Sequence, residues 1–122
     1  MKKELMDQLK FEVECLPEEI NPYTDYLDSG DKEQDRKDVD AMMRDLNRGN
    51  AWAWCCVKVI ARFNGFSGCD YLGACSYKDQ ADFEKDGYFE DMKYQAIDDL
   101  KKNILSTIEH GKEAEKLLKL FE

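Results

Sequence analysis

The sequence predicts an α+β fold: an antiparallel β-hairpin over residues 51–77, packed against amphipathic helices from both flanks. Three observations lead there. Residues 51–63, AWAWCCVKVIARF, have the Trp, Val, Ile and Phe content of a strand. Asn64-Gly65 follows at once, and this pair suits a type I′ turn, which needs positive φ at both central positions. On either side, apolar residues recur at three- and four-residue intervals within charged stretches, the pattern of helices with one buried face.

The chain of 122 residues is short enough for one domain and long enough to bury a modest core. It divides into N-terminal helices over 2–48, the hairpin over 51–77 and C-terminal helices over 79–121. In the first segment, KKELMDQLKFEVECL, residues Leu5, Leu9, Val13 and Leu16 have helical spacing, and Pro17 ends the run. An irregular connector with Tyr23 and Tyr26 leads to a helix over Lys32–Arg48. Asp31 and Gln34 have capping-box spacing there, Val39, Met42, Met43 and Leu46 form its apolar stripe, and Gly49 stands at the left-handed cap position.

In the hairpin, alternation places Ala53, Cys55, Val57, Val59, Ala61 and Phe63 on a core face. Trp52, Trp54, Cys56, Lys58, Ile60 and Arg62 fall on the other face, which reads as half-exposed. The return strand includes CDYLGACSY, where Gly73 signals a bulge or a close backbone approach. Asp79 caps a short turn, QADFEKD. A long helix follows, with Phe89, Met92, Ala96, Leu100, Ile104 and Ile108 on one face, and Gly111 either ends it or is absorbed. Two strands alone are marginal in water, so the hairpin needs helices over it, a further strand, or extension across a homodimer interface.

Charge narrows the partners. The net charge is −9, and by segment it is −6 over residues 1–50, +2 over 51–78 and −5 over 79–122. Nucleic acid and anionic membranes demand a basic footprint that the chain lacks, so neither is an expected direct partner. A basic partner is favoured. The longest apolar run, Ala51–Val57, is far below the ~20 residues of a membrane span. The N-terminal segment has no apolar signal core, and five cysteines is an odd number, so the expectation is a reduced, cytoplasmic protein without a disulfide framework.

No chemistry is specified. Cys55, Cys56, Cys69 and Cys75 lack the close paired spacing of a zinc knuckle, since adjacent strand residues point to opposite faces. His110, the only histidine, lies late in a helix and far in sequence from the thiols. GFSGCDYLG matches neither phosphate-binding glycine pattern. Adjacent acids such as Glu90-Asp91 and Asp98-Asp99 diverge on a helix and read as a solvated face. The expectation is therefore no enzyme, no cofactor and no metal.

What remains is the acidic surface. One cluster holds Asp25, Asp28, Asp31, Glu33, Asp35, Asp38 and Asp40, and the other Asp79, Asp82, Glu84, Asp86, Glu90 and Asp91. Carboxylates spaced along helix turns approximate a line of phosphates, so such faces can occupy a basic nucleic-acid channel. Solubility alone is the competing explanation. A second site is conceivable on the hairpin's outer face, where Trp52, Trp54, Lys58, Arg62 and Tyr71 would line a pocket for a signalling nucleotide.

The segments AWAWC (51–55), DYLGACSY (70–77) and GYFEDM (87–92) resemble those of a group of small acidic proteins of phages and other mobile elements. The resemblance covers about half of the chain, leaves residues 1–48 outside it and supplies no catalytic residues. It implies an anti-defence role of the anti-CRISPR kind, in which a non-enzymatic inhibitor binds a host defence protein.

Overall fold

A computed structural model describes residues 3–25 and 29–122. The element order is α1 (Lys3–Gln8), β1 (Lys10–Pro17), α2 (Pro22–Asp25), α3 (Lys32–Asn47), a 3₁₀ turn (Ala51–Ala53), β2 (Cys55–Phe63), β3 (Phe66–Cys75), α4 (Gln80–Glu84) and α5 (Gly87–Lys119). The strands form one antiparallel sheet in the order β1-β2-β3. The α+β class holds, with a third strand.

That strand corrects the reading of residues 2–16 as one helix. Only Lys3–Gln8 is helical, and Lys10–Pro17 pairs with β2 from Lys10↔Arg62 to Pro17↔Cys55. Leu9, Val13 and Leu16 fit a helical repeat, but KFEVEC also alternates strictly. Phe11, Val13 and Cys15 pack against the core, and Lys10, Glu12 and Glu14 are exposed. The sheet decides between the periods, because a third strand pairs β2 on its free side. Pro17 is the last residue of this edge strand, where a missing N–H is tolerated.

The β2–β3 hairpin follows its sequence signals. Asn64 and Gly65 have φ of 48° and 83°, and Phe63 pairs with Phe66. The register shifts between Cys55 and Val57, opposite Leu72–Cys75, and Ala74 there has φ 56°. The Ala74 N–H donates to the Glu18 carboxylate at 2.7 Å, so the bulge expected at Gly73 is held by an acid from the β1–α2 connection.

β2 starts later than expected, because Asn50 accepts a hydrogen bond from the Trp52 N–H and winds Ala51–Ala53 into a 3₁₀ turn. The turn takes both tryptophans off the strand's outer face. Trp52 stacks on Phe83 with ring centroids 6.0 Å apart, and Tyr77 meets Phe83 edge-on. Trp54 is only 3% exposed, with its Nε1–H donating to the Ile20 carbonyl at 2.9 Å.

The core lies between the sheet's inner face and α5. Cys55, Val57, Val59 and Ala61 meet Met92, Ala96, Ile97 and Leu100, with Phe83 of α4 fully buried among them. Helix and sheet approach closely at Gly68, where any Cβ would overlap the α5 backbone at Ala96 and Leu100. Along the same stretch, α5 covers the edge of β3. Asp99 accepts from the Cys69 N–H at 2.9 Å and Asn103 donates to the Ser67 carbonyl at 2.7 Å. Asp99, expected on a solvated face, is therefore a structural acceptor, and Asp98 is exposed.

α5 continues through Gly111 to Lys119. Past Ile104 every residue is exposed, including Leu105, Ile108, Leu117 and Leu118. Ile108 thus does not join the core stripe, and His110 stands mid-helix in solvent rather than at a helix end.

Candidate functional site

The carboxylates of the two acidic clusters serve first as local structure. Asp31 caps α3 by accepting from the Gln34 N–H at 3.1 Å. The Gln34 side chain turns forward to Asp38 at 2.9 Å instead of closing the capping box. Asp35 accepts from the Ser29 hydroxyl at 2.7 Å, and Asp40 from the Tyr23 hydroxyl at the same distance. Asp79 caps α4 through the Asp82 N–H, while Asp82 accepts from the Lys78 N–H at 3.0 Å. Glu84 accepts from the Gln80 amide, and Glu90 pairs with Lys93 at 2.6 Å. Asp86 caps α5 and accepts from the Tyr77 hydroxyl at 2.7 Å. Glu33 and Asp91 are exposed and make none of these contacts. Asp28 lies outside the described residues, and of Asp25 only the backbone is described.

The bonded carboxylates are not thereby used up. Each has roughly four lone-pair sites, and most of the named acids remain exposed or half-exposed.

Tertiary folding brings one acid of α3 and one acid of α4 to a common groove. The end of α3, the Asn50 turn, the strand-to-helix segment Ser76–Lys78 and α4 enclose a groove of about 270 Å³. Met42, Asp45, Asn50, Ala53, Ser76, Tyr77, Lys78 and Asp82 line it. Asp45 lies on α3 beyond the first cluster and Asp82 belongs to the second, 37 positions apart in sequence. The walls are tied by the Asn50 side-chain amide, which donates to the Lys78 carbonyl at 3.3 Å. The Tyr77 N–H donates to the Trp52 carbonyl at 2.8 Å. Sequence reasoning did not find Asp45, Asn50, Ser76 or Tyr77 as a set. Three separate segments supply them, and no periodicity links them.

The five residues of the hairpin's outer-face site do not converge. Trp52 and Trp54 are packed as described above. Lys58, Arg62 and Tyr71 remain on the open side of the sheet, in two separate pairs. The Lys58 ammonium lies 5.5 Å from the Tyr71 ring centroid, and Arg62 meets Glu12 at 2.8 Å with both side chains about half exposed. Ile60, on the same face, is buried.

Cys15, Cys55 and Cys75 pack on the inner side of the sheet. Burial pushes the Cys75 thiol up to about 11 and the Cys55 thiol higher still, with the neighbouring Cys15 adding to the latter. Both stay protonated near neutral pH, the inert state for attack or metal ligation. Among the described residues, no group of three or more His, Cys, Asp or Glu side chains is arranged to hold a metal ion. Among them, too, no helix is long and apolar enough to cross a membrane.

Fold and surface together define a small α+β protein with a three-stranded sheet, helices over one face and acidic helical surfaces. No family model, curated protein or solved structure matches the chain.

Proposed function

We propose that this chain is a non-enzymatic interaction protein that binds a basic, nucleic-acid-binding host protein through its acidic helical faces. The observation that carries the reading is the shared groove. Asp45 of α3 and Asp82 of α4 both line it, so carboxylates far apart in sequence meet at one place. Acids held by caps and turns are already ordered, which lowers the conformational cost of presenting them to a partner. The net charge of −9 favours attraction to a cationic channel and opposes direct contact with nucleic acid. The finer reading, an anti-defence inhibitor of the anti-CRISPR kind encoded by a phage or mobile element, rests on the resemblance of segments 51–55, 70–77 and 87–92.

The test measures binding to purified nucleic-acid-binding defence nucleases of the host, at low and high salt and with duplex DNA as competitor. The expected result is binding that weakens with salt and is mutually exclusive with DNA. Complexes that ignore salt, or that hold protein and DNA together, would sink the proposal.

A further inference from the structure

We infer that the groove between α3 and α4 is a receptor for a single arginine side chain projecting from the partner. The inference rests on the interaction reading above and names the chemistry of its central contact.

Size selects the class of ligand. About 270 Å³ falls just below the ~300–1,000 Å³ of typical small-molecule sites, so one long side chain suits it better than a nucleotide does. The lining selects the side chain. Met42, Ala53 and the ring of Tyr77 offer apolar surface for an aliphatic stem, and Asp45 and Asp82 supply two carboxylates. One Asp82 oxygen accepts from the Lys78 N–H, leaving the other available, while Asp45 is exposed. The Ser76 hydroxyl adds a further acceptor. A guanidinium presents five donors in a planar fork and can engage separated acceptors together; an ammonium is a compact point charge. The Tyr77 ring is braced edge-on by Phe83 at 5.3 Å and by Trp52 at 6.5 Å, and its hydroxyl is tied to Asp86, so this wall is rigid before binding.

Lys78 lines the same groove and, among the described residues, is the one cation there. It opposes an incoming arginine, so its removal should strengthen binding. That sign is opposite to the loss expected at Asp45, and general destabilisation of the fold would not produce both.

The experiment titrates the isolated, full chain with three short blocked peptides that differ only in a central Arg, Lys or Ala, following backbone amide NMR shifts. The Arg peptide should shift Ala53, Ser76, Lys78 and Asp82, the Lys peptide less, and the Ala peptide not at all. Asp45→Asn should weaken Arg binding about tenfold, in line with loss of a charge-assisted hydrogen bond, and Lys78→Gln should tighten it severalfold. Asp45 is exposed and serves the end of α3 only through its backbone carbonyl, which Asp45→Asn keeps, so the variant should fold normally, as its unbound spectrum will show. Shifts spread over all acidic surfaces, or equal affinity of the Arg and Lys peptides, would overturn the inference. Peptide binding without nuclease binding would overturn only the function proposed above; nuclease binding without groove shifts would overturn only this inference.

Discussion

Gly68 governs the close approach of α5 to β3. With no side chain, it lets the α5 backbone at Ala96 and Leu100 lie directly on β3. Gly68→Ala should destabilise by about 3 kcal/mol or more, the upper end of overpacking costs, because helix backbone cannot yield as a flexible side chain would. Denaturant melts of the two proteins check this. A second residue-scale prediction concerns alkali. The Cys75 thiol rises from an ordinary 9.0 to about 11 in the fold, chiefly by burial, and Cys55 and Tyr77 move in the same direction. The folded state therefore holds these protons more tightly than the unfolded chain does. Stability should be fully present below pH 9, fall as pH rises above it and continue falling through 11. Melting temperatures from pH 8 to 11 will show the decline. In Cys75→Ala the decline should be shallower, whatever that variant's stability at pH 8. Of these residue-level features, the Asn64-Gly65 turn was legible because its geometry is local. Gly68 was not, since nothing in FSGCD says that a helix 28 positions onward will lie across it.

At the scale of elements, β1 shows why pattern alone was insufficient. Leu5, Leu9, Val13 and Leu16 satisfy a helical repeat, and Phe11, Val13 and Cys15 satisfy a strand repeat. Eight residues are too few to separate the two. Pairing with β2 settles it, since backbone hydrogen bonds to a neighbouring strand exceed what a short isolated helix can gain. The edge of β3 is guarded differently, by Asp99 and Asn103 one turn apart on α5. Asp99→Ala should cost about 1–3 kcal/mol, by leaving a half-buried Cys69 N–H without its acceptor. Asp98→Ala, on the exposed neighbour, should change stability by no more than about 0.5 kcal/mol, and the contrast separates edge capping from general charge effects. The outer part of α5 carries no load for the body. A chain ending at Thr107 should keep cooperative unfolding and lose no more than about 1 kcal/mol, because residues beyond Ile104 are exposed. Thermal melting followed by circular dichroism will test this, with helical signal falling while the transition survives.

Over the whole molecule, charge and structure are interlocked. Acids at helix starts sit where amides are unpaired, so Asp31, Asp79 and Asp86 serve the fold while contributing to the external field. Charge neutralisation must therefore avoid them if folding is to survive. Replacing exposed Glu33 and Asp91 together by Gln and Asn should leave the melting temperature within a few degrees. The same double change should slow association with a basic partner by severalfold at low salt, with the difference shrinking as salt is added. Stopped-flow association rates at two ionic strengths will check both parts. An unchanged rate at low salt would remove these faces from the encounter.

By itself, the sequence determined the α+β class, the hairpin with its tight turn, the capped helix α3, the long amphipathic start of α5 and the concentration of charge in the flanks. Those features rest on local preference and short-range periodicity, which a chain carries wherever it folds. Only the tertiary structure decided that residues 10–17 are a strand and that both tryptophans leave the outer face of the sheet. It alone placed α5 on Gly68 and brought Asp45 and Asp82 to one groove. Each of these depends on which distant segments compete for the same buried surface or unpaired backbone group, and spacing along the chain does not record that competition.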